Sequence, residues 1–439
     1  MRTIYNFFFN LGFLAGAPFY FFRLWRRGNW RDGFGQRFGR YSSKTKQALT
    51  NRRVIWLHAV SVGEANLATL LVKALAPQLP AFKFVVSTTT TTGMGELRRK
   101  LPTDVEKIYY PIDRRPWVRR ACAVLHPEAV LLIEAELWPN FLWHARRRRV
   151  PVMLVNARIS ERSYRRYRRF GFLFREHFRE LAAISTQNET DASRLADLGC
   201  HPEALHSVGS LKFESVPASN QRPLDIPRLL AHAGCPEGAQ IVLGGSTHDG
   251  EEAVLAEIFK RLRKKHPKLF LVLVPRHFER SKSVASQLDR RGVRFIYRSE
   301  VTFGSPPTPG STDCLLVNST GELRHFYPHA SVVFIGKSLT GKGGQNPIEA
   351  ATARRPIIFG PHMQNFRDIA QRFVDAEAAL QVKDAGQLEN ALDELLSDEA
   401  RRAALGTKAL QVVESNRGAL DRTVQMILGT LQQRGVLDD

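Results

Sequence analysis

Three glutamates in this chain stand at or just beyond the end of an apolar run, which is where an ionisable side chain can reach a ligand. VIWLHAV (54–60) is followed by Ser61-Val62-Gly63-Glu64 and then by a helix-like stretch. The helix dipole favours a carboxylate at that place, and the same place suits a general base at the mouth of a cleft. AVLLIEA (129–135) ends in Glu134, and Glu136 follows directly. Acids at the end of an apolar strand are costly unless they are paired, bound to a ligand or open to a cleft. Thr88 to Thr92 follow KFVVS (83–87), either as helix caps or as hydrogen-bonding groups for a polar ligand. Lys212, in Gly209-Ser210-Leu211-Lys212-Phe213, reads equally as a cleft cation or a surface lysine.

A second group of candidates is rich in glycine. Gly244-Gly245-Ser246-Thr247-His248 opens a helix after an apolar run, like a phosphate-cradling turn. It is not a Walker A loop: Gly245 and Gly250 have the spacing, but Glu251 and Glu252 occupy the Lys and Ser/Thr places. Gly336-Lys337-Ser338 fails too, because Ser331 sits where the first glycine belongs. Pro275-Arg276-His277 follows LFLVLVP (269–275), and an arginine there is well placed to meet a phosphate. Asn318-Ser319-Thr320-Gly321-Glu322 opens a further helix. In Gly336 to Glu349 several backbone amides point to an anion, Pro347 fits the first helical turn, and Glu349 suits ribose hydroxyls.

These positions require a scaffold of strands whose carboxyl ends gather. Apolar runs at 54–60, 83–87, 107–111, 129–135, 151–157 and 182–186 alternate with helix-like segments at 64–79, 93–101, 115–125, 140–149, 162–181 and 188–198. Continuous rather than alternating apolar character predicts parallel strands buried on both faces. After a proline-containing stretch without a clear strand (214–239), runs resume at 240–246, 269–275, 293–298, 314–319, 331–336 and 356–360. Helices are expected between them and at 384–396 and 398–430. The pattern predicts an α/β protein with two Rossmann-like, doubly wound domains facing across a cleft, ligands lying beyond the strands' carboxyl ends. The expected boundaries are an N-terminal anchor at 1–30, a first domain at 31–215, a linker at 216–238 and a second domain at 239–439 with the C-terminal helices.

The chain has 439 residues, enough for two or three domains, with 43% hydrophobic and 24% charged residues, an ordinary globular composition. Its 64 Lys and Arg against 42 Asp and Glu give a net charge of +22, which predicts an acidic partner: nucleic acid, anionic lipid or anionic substrate. The four cysteines are scattered without a CxxC pair, against a zinc site or disulfide scaffold. Residues 4–22 carry no charge over 19 positions and are followed by Arg23, Arg26, Arg27, Arg31, Arg37 and Arg40. A bilayer crossing takes roughly 20 residues. The flanking charges would keep all that follows in the cytoplasm. Gly12, Gly16, Pro18, Asn6 and Asn10 interrupt the run, so a helix lying in the membrane interface competes with a spanning one. Arg146 to Arg149 and the helix with Arg162, Arg165, Arg166, Arg168 and Arg169, interleaved with Tyr164, Tyr167, Phe170, Phe172 and Phe174, form a basic surface that suits anionic lipid or plain solvent.

The motifs WLHAVSVGE (56–64), EAELWPN (134–140), NARIS (156–160), QNE (187–189), GSLKF (209–213), STHDGEE (246–252), LVPRHFER (273–280), STGEL (319–323), GGQNPIEAA (343–351) and GPHMQNF (360–366) occur in this order. In them the chain resembles the 3-deoxy-D-manno-octulosonic acid (Kdo) transferases over almost its whole length. The resemblance implies an inverting GT-B glycosyltransferase of the inner membrane, catalytic domains on the cytoplasmic side, moving Kdo from CMP-Kdo to a lipid A precursor in lipopolysaccharide synthesis. It implies Glu64 as the catalytic base and Glu134 and Lys212 as transition-state stabilisers. It places CMP contacts at Pro275, Arg276, Thr320, Gly321, Glu322, Asn346, Pro347, Ile348 and Glu349. Gln345 stands where some members carry His, which leaves that position without an assigned role. No Asp-x-Asp metal motif appears and a single bridging phosphate needs less neutralisation than a diphosphate, so neither a metal nor another cofactor is expected. Two other classes are a nucleotide-sugar epimerase on the same architecture, which leaves the anchor unexplained, and a membrane-bound nucleic-acid-binding protein, which leaves the strand-end loops unexplained.

Overall fold

The structure, a computed structural model, describes residues 2–26, 30–134, 137–214 and 224–438. Arg27, Glu136, Ser215 and the first part of the expected linker, 216–223, lie outside the described residues. The chain divides into two domains, Met1–Ser215 with Arg417–Asp439, and Val216–Asn416.

The first domain is built on seven parallel strands: β1 (Arg53–His58), β2 (Phe82–Thr88), β3 (Glu106–Tyr109), β4 (Pro127–Ile133), β5 (Val152–Ala157), β6 (Ala183–Thr186) and β7 (Leu205–Ser207). Their order is β3-β2-β1-β4-β5-β6-β7, so the winding direction reverses between β1 and β4. The continuous apolar runs have the expected cause. Ile55 and Leu57 enter one core while Val54 and Trp56 enter the core on the opposite face, all at most 0% exposed. β7 has no apolar run behind it: its burial is partial, as an edge strand allows, and the sequence pattern does not announce it.

The second domain repeats the plan with β8 (Gln240–Thr247), β9 (Leu269–Pro275), β10 (Phe295–Tyr297), β11 (Cys314–Leu316), β12 (Val332–Ile335), β13 (Ile357–Phe359) and β14 (Leu380–Gln381). All are parallel, in the order β10-β11-β9-β8-β12-β13-β14, and the reversal falls between β8 and β12. The two-residue edge strand β14 is likewise absent from the sequence pattern.

Three expectations change. The helix expected at 398–430 is two helices, Glu399–Ser415 and Ala419–Gln433, broken at Gly418, whose φ of 79° ends regular helix. The chain end does not belong to the second domain. Val424, Ile427 and Leu431 fill the core of the first sheet, and the Arg422 guanidinium donates to the Val208 carbonyl at 2.8 Å. The basic helix expected at 162–181 is also two, Glu161–Arg169 and Gly171–Arg179. Tyr164, Tyr167 and Phe174 turn inward onto the core, leaving Phe170 and Phe172 exposed beside the arginines.

The N-terminal helix, Arg2–Arg26, packs on the first domain. The Tyr5 hydroxyl donates to Asp113 at 2.9 Å, and the Asn6 and Asn140 amides pair reciprocally at 3.1 and 2.9 Å. Among the described residues no helix is long and apolar enough to cross a membrane. Asn6, one of the polar residues that interrupt the run, thus helps dock the helix, and Phe7, Phe8, Leu11, Leu14 and Phe19 face outward, exposed.

Candidate active site

Glu64 sits in the first turn of the helix Val62–Leu75, just beyond β1. Ser61 caps that helix: its hydroxyl accepts from the Glu64 N–H at 3.2 Å and donates to the Glu64 carboxylate at 2.8 Å. The other carboxylate oxygen accepts from the Val60 N–H at 2.7 Å. The Ser-x-x-Glu spacing therefore works as a capping motif, which is the structural reading of this segment. Thr88 and Thr90 donate to the Val60 carbonyl at 3.1 and 2.8 Å, and Thr90 also caps the next helix through Gly93 N–H at 3.1 Å. The threonine cluster thus caps and fixes the turn that holds Glu64.

Only 8% of Glu64 is exposed. Burial raises its carboxyl above the usual carboxylate range; hydrogen bonds from Val60 and Ser61 pull it down, and the nearby Glu134 charge adds to the rise. Glu134 follows β4, and its N–H donates to the Val155 carbonyl at 2.9 Å. Its φ of 65° lies in the left-handed region, which is costly for a residue with a side chain and characteristic of functional turns. Its carboxylate meets Lys212 Nζ at 2.7 Å, both side chains about a quarter exposed. So the three residues expected to be catalytic converge at the carboxyl edge of the first sheet, although 148 positions of sequence separate Glu64 from Lys212.

Two motifs with no assigned role turn out to build this cluster. Asn156, also left-handed at φ 56°, accepts from the Leu211 N–H at 2.9 Å and so fixes the Lys212 segment to the end of β5. Gln187 donates to the Asn156 carbonyl at 3.1 Å, and Asn156 N–H donates to Ser185 at 2.9 Å. His58, fully buried, stacks on Tyr110 with 3.9 Å between ring centroids; burial pushes its imidazole down to about 3, so it stays neutral. The apolar run around His58 hides it as a mere core residue.

In the second domain Pro275 ends β9 buried; Arg276 is exposed, and its backbone N–H donates to the Thr247 carbonyl at 3.0 Å. Thr320 and Gly321 are exposed beyond β11. Gly321, at φ 88°, is open: a Cβ there would meet nothing within 4 Å. Glu322 is already paired, accepting from Arg298 at 2.9 Å. Pro347 and Ile348 are buried at the start of the helix Ile348–Thr352, and Asn346 accepts from the Ile348 N–H at 3.1 Å. Burial raises the Glu349 carboxyl while the Arg324 charge lowers it. Tyr327, close enough to feel Glu349, packs beside Gly245 at the end of β8. The segments 320–327 and 346–349 thus meet above β8.

The glycine-rich loop departs from expectation. The amides of Lys337, Ser338 and Leu339 do not face a ligand. They donate to the fully buried Glu251 carboxylate at 2.7, 2.9 and 3.0 Å, and the His248 N–H joins them at 2.8 Å. The residue that disqualifies a Walker loop is itself the anion that the loop wraps. Nor do Gly336 and Gly360 open the backbone to a ligand: a Cβ at Gly336 would stand 2.3 Å from the Ser246 carbonyl oxygen, and one at Gly360 2.2 Å from that of Ser338. They permit main chain to pack on main chain. Next to Glu251, the buried Glu252 pairs with Arg280 at 2.8 Å. Among the described residues no group of three or more His, Cys, Asp or Glu is gathered as for a metal ion.

Two doubly wound parallel domains, one with a carboxylate–lysine cluster at its strand ends and one with a braced glycine-rich loop, define a protein of the GT-B class. The profile of the family described as "3-Deoxy-D-manno-octulosonic-acid transferase (kdotransferase)" matches residues 32–215. The chain is 34% identical to the 3-deoxy-D-manno-octulosonic acid transferase of Bordetella pertussis, over 94% of this chain and 96% of that protein. It is 31% identical to that of Haemophilus influenzae, over 92% of each. The chain belongs to the Kdo transferase family, and is a glycosyltransferase that transfers Kdo in lipopolysaccharide biosynthesis. The solved UDP-GlcNAc 2-epimerase of Neisseria meningitidis is similar at a TM-score of 0.56 but 12% identity, over 87% of this chain and 100% of that one, which shows the shared fold alone.

Proposed function

We propose that this enzyme takes Kdo from CMP-Kdo and passes it to a hydroxyl of an acylated, phosphorylated lipid A precursor at the cytoplasmic face of the inner membrane, without a metal. The observation that carries the reading is the Glu64–Glu134–Lys212 cluster. A carboxyl held above its ordinary range, with both oxygens fixed, is a better base than a free one, and it is oriented before substrate arrives.

The step is a direct displacement with inversion. The acceptor oxygen bonds to the anomeric carbon, its proton passes to Glu64, and the bond from that carbon to the phosphate oxygen of CMP breaks, the electron pair leaving with CMP. In an oxocarbenium-like transition state, positive charge grows on the sugar and negative charge on the leaving phosphate. Glu134 answers the first; Lys212 or Arg276 answers the second. The open backbone at Gly321 and the Asn346–Glu349 segment receive the nucleotide. The outward apolar face of the N-terminal helix, the exposed Phe170 and Phe172 and the surrounding arginines support attachment to an anionic membrane surface.

Glu64→Gln keeps an oxygen for the Val60 N–H but cannot take the proton. Turnover should fall by about 10²–10⁴-fold while CMP binds as before in calorimetry. Turnover within a factor of a few of the parent would remove Glu64 from the role.

A further inference from the structure

A cleft of about 660 Å³ lies between the N-terminal helix and the carboxyl edge of the first sheet. Phe9, Phe13 and Ala17 form one wall, and Tyr110, Ile112 and Trp138 the other. The volume is within the roughly 300–1,000 Å³ of small-molecule sites. Val60 also lines it, and the Val60 N–H holds the Glu64 carboxylate at 2.7 Å, so one lining residue of the cleft is bonded to the proposed base.

From this we infer that the cleft takes one acyl chain of an anionic, phosphorylated lipid and thereby delivers the lipid's headgroup hydroxyl toward Glu64. The inference rests on the acceptor reading above and names the part of the first domain that would recognise the lipid. Gly12 and Gly16, one turn apart, border the cleft, and a Cβ at either would meet nothing within 4 Å. Close packing of the helix therefore does not require these glycines; their effect is to leave the cleft open. The helix is held beside the gap rather than collapsed into it. Tyr5 and Asn6 bond to Asp113 and Asn140, and Phe13 meets the Trp117 ring edge-on at 5.5 Å between centroids.

Charge selects the occupant. The buried Arg37 lines the cleft, and Arg114 lies over the Phe13 and Trp117 rings at 5.9 and 4.7 Å. Arg2 feels Arg115 and Arg147 strongly enough that their charges add to the lowering that burial begins. An apolar slot with a cationic border matches an acyl chain below a phosphorylated headgroup. Phe7, Phe8, Leu11 and Leu14 on the outward face of the same helix are exposed, which suits entry of the chain from a lipid phase.

The test uses the full chain in detergent micelles with a phosphatidic acid that carries a diazirine at the end of one acyl chain. After irradiation, cross-linked peptides are mapped by mass spectrometry. Labels should fall on residues 9–17, 110–113 and 138, and unlabelled lipid A precursor should compete them away. Gly16→Leu and, independently, Gly12→Leu should cut the cleft label by about tenfold, since losing room for two methylenes costs about that factor. The far-UV circular dichroism spectrum checks that each variant is folded. Labels confined to Phe7, Phe8, Leu11 and Leu14, or an undiminished cleft label in both variants, would overturn the proposal. The label is read without donor sugar. A chain that labels in the cleft yet transfers no Kdo would therefore support the cleft and sink the catalytic reading.

Discussion

Replacing Glu251 by glutamine isolates what holds the glycine-rich loop. One carboxylate oxygen accepts from Ser338 and Leu339 at 2.9 and 3.0 Å, the other from His248 and Lys337 at 2.8 and 2.7 Å. Glutamine keeps one oxygen, while its NH₂ faces two N–H donors. Hydrogen bonds to a charged group contribute about 1.5–3 kcal/mol each, so losing two costs about 3–6 kcal/mol, and the remaining pair weakens as the charge goes. At about 1.4 kcal/mol per factor of ten, exchange of the freed amides should speed up by about 100-fold or more. Hydrogen–deuterium exchange on peptides spanning 336–345 reads this directly. Glu252→Gln is the control, because that carboxylate is equally buried on the next residue but pairs with Arg280. The loop should lose protection in Glu251→Gln and keep it in Glu252→Gln, and the KM for CMP-Kdo should rise in the first. Equal exchange in Glu251→Gln and the parent, or equal loss in both variants, would refute the anchoring argument.

Other consequences follow from the same geometry. Glu134→Gln removes a negative charge that helps raise Glu64, so the base should ionise at lower pH and the acid limb of the pH–rate profile should shift downward; an unmoved limb in a still-active variant would separate the two residues. Burial raises the Asp113 carboxyl to about 7, so the folded state holds a proton that the unfolded chain releases near its ordinary 3.8. The folded form is then the more protonated one between those values, and stability should fall as pH rises from about 4 to 7. Denaturation midpoints across that range should flatten in Asp113→Asn, and an unchanged slope would be the contrary result. Ile427→Ala empties a fully buried position in the core of the first sheet. It should cost about 2–5 kcal/mol, read as lost exchange protection in β1 and β4 with β8 and β9 unaffected; the opposite assignment would return the last helix to the second domain.

The chemistry-bearing positions were readable because a doubly wound sheet has one useful edge. Continuous apolar runs locate strands, and whatever ionisable residue follows a run lands on that edge. Glu64, Glu134 and Arg276 were found that way. Partnerships were not readable. Lys212 meets Glu134 only because β4, β5, β6 and β7 lie side by side and Asn156 fastens the Lys212 segment to the end of β5. Glu251 registered as the wrong residue for a phosphate loop, since nothing local says that its carboxylate will turn back onto amides 86 to 88 positions ahead.

From the order of its residues alone, the chain determined its two parallel domains, the strand ends that carry its candidate groups and the family to which it belongs, since apolar runs and motif spacing are local properties. Tertiary structure decided which charges pair, which amides of the glycine-rich loop are already taken, that the last helix returns to the first sheet and that Asn6 docks the N-terminal helix instead of merely interrupting its apolar run. Those outcomes depend on which distant surfaces meet in the folded chain, and burial then sets the energy of every ionisable group at the contact.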